Sequence, residues 1–175
     1  TEVVTLTAHV DDMVLACPAE NRNMLFKEIE GICLVKVTGL LKADGTEDSV
    51  EFLGKIRRRK GHLLYTKPKS KFVDKCLAIW GLGDCKPVKA PTTAELYHAE
   101  GDPVTDAATK SAVRQTVGIL QYVAKEYRLI GLALRGLSTE MDKPTVATVA
   151  RIKHLLRFLS AEKSHETFMD GHIVS

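Results

Sequence analysis

The chain has 175 residues, 25 Lys and Arg against 22 Asp and Glu, a formal net charge of +3, and 45% apolar residues. That length suits one domain or two small ones, the apolar fraction excludes wholesale disorder, and no apolar run approaches the ~18 residues of a membrane span. Thr1 to Thr7 has neither the charged start nor the cleavage pattern of a signal peptide, and the chain is expected to be a piece of something longer.

Thr1 to Ala16 alternates loosely in Val, Thr and Leu, with Asp11-Asp12 in its middle. This predicts a β-hairpin with two carboxylates at its tip, ended by Cys17-Pro18. Between Ala19 and Glu30, Met24, Leu25, Glu28 and Ile29 recur at helical spacing, and Gly31 closes that helix. Ile32 to Thr38 is β-branched and predicts a strand, and Asp44-Gly45 is a turn signal. Val50 to Arg57 and His62 to Thr66 predict a second hairpin, with Arg58, Arg59, Lys60 and Gly61 at its tip. Ser70 to Trp80 predicts a short helix after Pro68. Residues 81–108 hold six Gly and Pro and no sustained period, so a linker between domains is expected within them.

Beyond that stretch the chain turns helical. Val113, Thr116, Val117, Leu120 and Ala124 form one apolar stripe, and Ile130, Leu134, Leu137 and Met141 a second. A third, Val149, Ile152, Leu155, Leu156 and Leu159, follows Pro144, which is expected in the first turn of its helix. Three amphipathic helices in succession predict a small bundle. Arg151, His154 and Arg157 lie opposite the last stripe and are expected to face solvent. Cys17, Cys33, Cys76 and Cys85 form no CxxC pair and are expected to be reduced, buried thiols of an intracellular protein.

The sharpest local feature is Ala8-His9-Val10-Asp11-Asp12-Met13-Val14. Adjacent carboxylates at a strand turn repel each other and are often stabilised by a divalent cation. Mg²⁺ takes one or two carboxylates together with waters and substrate phosphates, and two such ions ~4 Å apart suit in-line phosphoryl transfer. A solvated Asp-Asp turn is the plainer alternative, since Asp is common in turns. Positive charge gathers in residues 55–75, where Lys55, Arg57, Arg58, Arg59, Lys60, Lys67, Lys69, Lys71 and Lys75 face only Asp74. These are either a solvated turn and helix flank or a track of phosphate contacts whose affinity would fall steeply with salt.

Taken in order, these pieces resemble the reverse transcriptases of copia-type retrotransposons. The acidic hairpin is similar to that family's Tyr-Val-Asp-Asp box, and Phe52-Leu53-Gly54-Lys55-Ile56 to its Phe-Leu-Gly hairpin, which holds the primer end. Asp84-Cys85-Lys86-Pro87, the Val117-Gly118 to Leu120-Gln121-Tyr122 stretch, Lys143-Pro144-Thr145 and Leu155-Leu156-Arg157-Phe158-Leu159 continue the likeness. The resemblance implies an α+β chain. Residues 1–90 would be the C-terminal part of a polymerase palm, 91–108 a linker, 109–160 a helical thumb and 161–175 a tail. It implies RNA-directed DNA synthesis in the parent protein, with Asp11 and Asp12 as catalytic ligands of Mg²⁺ or Mn²⁺ and Asp11 the more direct of the two. Phe52, Leu53, Gly54, Lys55 and Ile56 would grip the primer. Arg57, Arg58, Arg59, Lys60, Arg114, Gly118 and Tyr122 would bind nucleic acid. The partners implied are a primer–template of RNA and DNA, deoxynucleoside triphosphates, and the rest of the polyprotein: an upstream palm and fingers and a downstream RNase H. The location implied is a cytoplasmic particle or the nucleus, with no membrane and no secretion.

Gly118 within a helix costs up to ~1 kcal/mol relative to Ala, so it calls for a reason. Close approach to nucleic acid and close packing on another helix are the two on offer, and Tyr122 is likewise either a duplex contact or a core aromatic. Two departures from the family pattern stand out. His9 replaces the Tyr of the box, a tolerated strand residue or a group that gains charge near a pH of about 6.5 beside the metals. Tyr127-Arg128-Leu129-Ile130 replaces a segment with Pro and Asp. With the third palm carboxylate expected upstream of Thr1, the isolated chain is expected not to polymerise. The alternative is a non-catalytic retroelement remnant that binds nucleic acid or is inactive.

Overall fold

The computed structural model describes residues 4–42, 49–163 and 165–170. The chain is α+β and divides into two compact units, Thr1–Thr66 with Phe168–Ser175, and Lys67–Thr167.

The first unit opens with the expected hairpin, β1 (Thr5–His9) and β2 (Asp12–Ala16), antiparallel in the register Thr5↔Ala16 to His9↔Asp12. Helix α1 (Arg22–Glu30) follows and buries no residue. The strand expected over Ile32 to Thr38 does not form: the segment is irregular, with Ile32, Leu34 and Val37 exposed. β-propensity is a preference for a pleated surface with cross-strand neighbours, and no strand pairs with this run. The Asp44-Gly45 turn lies outside the described residues.

The second hairpin differs from expectation in a way that moves its charges. Val50 to Arg57 is two strands rather than one, β3 (Ser49–Phe52) and β4 (Lys55–Lys60), with Phe52↔Lys55 as the closing pair. Leu53 (φ 51°) and Gly54 (φ 70°) form the loop. Positive φ at both loop positions is the type I′ pattern, whose twist matches that of the flanking strands. Arg58, Arg59 and Lys60 are therefore not a tip but the body of β4. The next turn is Gly61-His62, with Gly61 at φ 59°, and it leads into β5 (Leu63–Pro68). The expected tail contributes β6 (Thr167–Asp170), which completes a four-stranded sheet ordered β3-β4-β5-β6.

The second unit is a helical bundle around one apolar core. Helices α2 (Ser70–Ile79), α4 (Ala107–Ala124), α5 (Gly131–Thr139) and α6 (Val146–Ala161) surround it, with a 3-10 turn at Arg128–Ile130. Helix α2 ends in a Schellman motif: Gly81 (φ 62°) turns the chain, its N–H bonds Ala78 O, and Leu82 N–H bonds Leu77 O at 2.8 Å. All three predicted stripes face the core, where Leu120, Ile130, Ile152, Leu155 and Leu156 are fully buried. Helix α2 adds Val73, Cys76 and Leu77 to the same core. The Trp80 indole N–H donates to the buried Thr116 hydroxyl at 2.8 Å. Pro144 precedes the N-cap of α6 rather than opening its first turn; Thr145 caps the helix, in a reciprocal box with Thr148.

Residues 91–108, read as a linker, lie inside this second unit. They contain one short helix, α3 (Ala94–Tyr97). The polar face of α6 holds this segment and the residues before it, so Arg151, His154 and Arg157 are half-buried rather than wholly solvent-facing as expected. Arg151 Nη1 donates to Tyr97 O at 3.5 Å, His154 Nε2 to Ala90 O at 3.0 Å, and Arg157 Nε to Lys86 O at 2.7 Å. As the helix advances by three residues, the bonded carbonyl steps back along the chain, so the segment runs antiparallel to α6. Val104 N–H to Pro144 O and Val146 N–H to Asp102 O fasten its far end. Arg151 also pairs with Glu140 at 2.6 Å, with its side chain 12% exposed. Irregular backbone must satisfy its carbonyls, and here side chains of α6 do so. Among the described residues, no buried side-chain nitrogen or oxygen lacks a partner.

Of the cysteines, only Cys76 is buried; Cys17, Cys33 and Cys85 are half-buried, and all four are free thiols. Burial pushes the Cys76 thiol up to about 11, against a smaller downward pull from Lys75.

Candidate functional site

The acidic tip is a two-residue turn, Val10-Asp11, between the paired His9 and Asp12. Val10 has φ 55°, while Asp11 does not share the left-handed region. A two-residue loop with positive φ at its first position alone follows the II′ pattern, which favours Gly there. A β-branched side chain at that φ is a genuine outlier, of a kind that costs about 1–3 kcal/mol and gathers at functional sites. Val10 is 89% exposed, so packing offsets little of that cost.

The two carboxylates differ. Asp12 lies in β2, and its Oδ2 accepts the Leu53 backbone N–H at 3.2 Å. That bond spans 41 residues and ties the acidic hairpin to the Leu53-Gly54 turn. The acidic tip and the Phe52-Leu53-Gly54 segment are thus brought together within the first unit, whereas the expected second tip at Arg58 to Gly61 is not part of this contact. Asp11 is exposed, and among the described residues no partner takes its carboxylate. His9 is exposed and directly opposite Asp12 in the ladder. Phe52, at the base of the second turn, is the buried residue of β3, 5% exposed, with the Arg57 guanidinium 5.0 Å over its ring.

The basic strand is similarly held in place. Arg58 stacks over Tyr65 at 4.6 Å, and Arg59 Nε bonds Gly61 O at 2.8 Å. Lys55 and Ile56 are half-buried, and Lys60 is exposed.

In the second unit, Arg114, Gly118 and Tyr122 follow one another along α4. Arg114 meets Asp142 at 3.4 Å; both side chains are well exposed, and such pairs contribute roughly 0–1 kcal/mol. Gly118 is exposed, and a Cβ built on it would meet nothing within 4 Å. Helix packing is therefore not what this glycine serves. Tyr122 is half-buried against Phe72, ring centroids 4.9 Å apart. Two positions of the departing 127–130 segment are core residues, Tyr127 at 2% exposure and Ile130 at 0%. The Tyr127 hydroxyl donates to Glu162 at 3.0 Å, and burial, with the Glu162 carboxylate behind it, raises its pKa far above the usual phenol range.

Two hard oxygen donors at one turn suit Mg²⁺ or Mn²⁺. Among the described residues no group of three or more His, Cys, Asp or Glu converges as a metal site. Asp11 and Asp12 therefore supply two carboxylates at this turn with no third such group beside them among the described residues. Among the described residues, no helix is long and apolar enough to cross a membrane. No protein-family model, curated protein or solved structure matches the chain.

The sequence pointed to the acidic pair and the Phe-Leu-Gly turn, but not to three further features: the strained Val10, the Tyr65 and Phe168 rings of the sheet, and the carbonyl-binding row on α6. Only the third had a visible signal, since Arg151, His154 and Arg157 recur every three residues.

Proposed function

We propose that the chain is part of the palm and the thumb of an RNA-directed DNA polymerase similar to those of copia-type retrotransposons. The observation that carries this reading is the bond from Leu53 N–H to Asp12, which joins the carboxylate turn to the turn read as the primer grip. In such an enzyme the primer 3′ end must lie beside the carboxylates, so these two tips have to be neighbours. On this reading Asp11 and Asp12 hold a divalent cation, Mg²⁺ or Mn²⁺. When bound, that cation neutralises charge developing on the transferred phosphate and activates the primer hydroxyl. Asp12, fixed by Leu53, orients the pair, while Asp11 presents an exposed carboxylate toward substrate. Phe52 to Ile56 position the primer strand, with Arg57 to Lys60 supplying phosphate contacts nearby. Arg114, Gly118 and Tyr122 offer an α4 face to the duplex, and the open surface at Gly118 supports that role.

His9 opposite Asp12 favours a second reading, a non-catalytic retroelement remnant that retains nucleic-acid binding. An imidazole stands there in place of the phenol of the family's box.

The test is fluorescence anisotropy with an RNA–DNA hybrid carrying a recessed primer 3′ end. Mg²⁺ should tighten binding by the wild-type chain and leave the Asp11→Asn/Asp12→Asn double variant unchanged. Binding that Mg²⁺ does not tighten gives the lead to a remnant that still binds nucleic acid, and absence of any hybrid binding refutes the polymerase reading and leaves an inactive remnant.

A further inference from the structure

The β4 face bearing Arg58 is distinct from the primer-grip turn. Side chains alternate along a strand, so Arg58 points opposite to Arg57 and Arg59. On the Arg57 side lies the buried Phe52. On the Arg58 side, the guanidinium carbon sits 4.6 Å over the Tyr65 ring of β5. Tyr65 in turn meets Phe168 of β6, centroids 6.1 Å apart and planes tilted by 47°. One planar cation and two rings therefore step across three adjacent strands. Tyr65 is half-buried, while Phe168 is 67% exposed, an unusual outlay of apolar ring surface on an otherwise basic sheet. By the same alternation Lys55, Arg57 and Arg59 belong to the opposite face, while β4 brings Arg58 and Lys60 to this one, with Glu51 of β3 opposite Ile56.

We propose that this face is a stacking platform for an unpaired stretch of nucleic acid, with bases laid on Phe168, Tyr65 and the Arg58 guanidinium and the phosphodiester drawn by Arg58 and Lys60. Every base offers a π-face, so stacking on aromatic rings beside cations selects single strands with little regard to sequence. Arg58, already held over the Tyr65 ring, loses less rotamer freedom on binding than an unstacked side chain would. An acidic polypeptide would satisfy the charge but leave Phe168 without a partner. The platform uses neither Asp11 nor Asp12, and so does not depend on polymerase activity.

The experiment is anisotropy of a fluorescein-labelled oligothymidylate of about 15 nucleotides against the full chain in EDTA, over a series of salt concentrations. Binding should weaken linearly in log[salt]. Phe168→Ala and Phe168→Leu should each weaken it about tenfold, while Phe168→Tyr keeps wild-type affinity. Because Phe168 is exposed, the far-ultraviolet circular dichroism should be unchanged in all three. Leucine binding as tightly as phenylalanine overturns the proposal, as does failure to bind. Displacement by polyglutamate at the same charge concentration as by unlabelled oligothymidylate also overturns it, in favour of an acidic protein partner. None of these outcomes alters the Mg²⁺ response of hybrid binding, which tests the polymerase reading separately.

Discussion

Replacing Gly118 by Ala separates the two roles a glycine can have within a helix. Gly118 lies in α4, the 18-residue helix Ala107–Ala124, away from both ends. In a solvent-exposed helix interior, Gly is about 0.8–1.0 kcal/mol less favourable than Ala. The added Cβ meets nothing within 4 Å, so no packing penalty offsets the gain. Gly118→Ala should therefore stabilise the fold by close to 1 kcal/mol. For a chain of this size that corresponds to a rise in Tm of roughly 2–4 °C, read by thermal unfolding followed by circular dichroism. The same variant should bind the RNA–DNA hybrid more weakly, because a methyl group now stands where a phosphate or sugar edge would approach the backbone. A rise in Tm with unchanged hybrid affinity would refute the reading of α4 as a duplex-facing helix. A fall in Tm would refute the claim that the surface at Gly118 is open.

Other consequences follow from the same structure. Val10→Gly should slow hydrogen exchange of the β1–β2 amides by up to about tenfold, since relieving about 1–2 kcal/mol of left-handed strain against a ~0.5–1 kcal/mol entropy cost of Gly leaves up to about 1.5 kcal/mol; faster exchange would mean the turn is not strained. Arg157→Ala removes the bond to Lys86 O, costs about 1 kcal/mol and should make residues 81–93 the first site of limited proteolysis, an effect absent if the segment is held by other means. Asp106 caps α4 by accepting the Thr109 and Ala108 N–H groups, and those bonds hold its carboxyl below the usual range. A folded-state pKa below the unfolded one gives stability that is present above the unfolded value, near 3.8, and is lost as pH falls through the folded value. Asp106→Ala should therefore lower Tm at pH 7 and flatten its decline in acid; an acid profile identical to wild type would refute this account.

The helices were legible because an amphipathic helix repeats its pattern over three or four turns. Val113, Val117 and Leu120 mark the core face of α4 without help from any other element, and all three are fully buried. The strands were less legible because their signals are short and conditional. Leu53 takes φ 51° in a turn where Gly, Asn or Asp is the usual residue, so the break between β3 and β4 carried only Gly54 as a mark. Ile32 to Thr38 had the composition of a strand without a partner to make it one. Thr167–Asp170 showed no periodicity, and it is a strand because β5 lies beside it. Of the site, residue types were visible and proximity was not. Nothing local to Asp12 indicates that its carboxylate meets the amide of Leu53.

The two units rest on different kinds of interaction, and this determines what a substitution in each will report. The bundle is held by fully buried aliphatic side chains, so a change such as Leu155→Ala acts through cavity formation and lowers global stability. The acidic hairpin has no fully buried residue in β1 or β2, and α1 buries none. Its tip is set by turn geometry at Val10 and by one hydrogen bond from Leu53. Such a tip is easily displaced, since one exposed hydrogen bond contributes only about 1 kcal/mol net. On the proposed reading, Asp12→Ala removes a cation ligand together with the Leu53 contact, whereas Asp11→Ala removes a ligand alone. If the turn exists to present carboxylates beside the Leu53-Gly54 loop, the Asp12 variant must lose more of the Mg²⁺ response than the Asp11 variant.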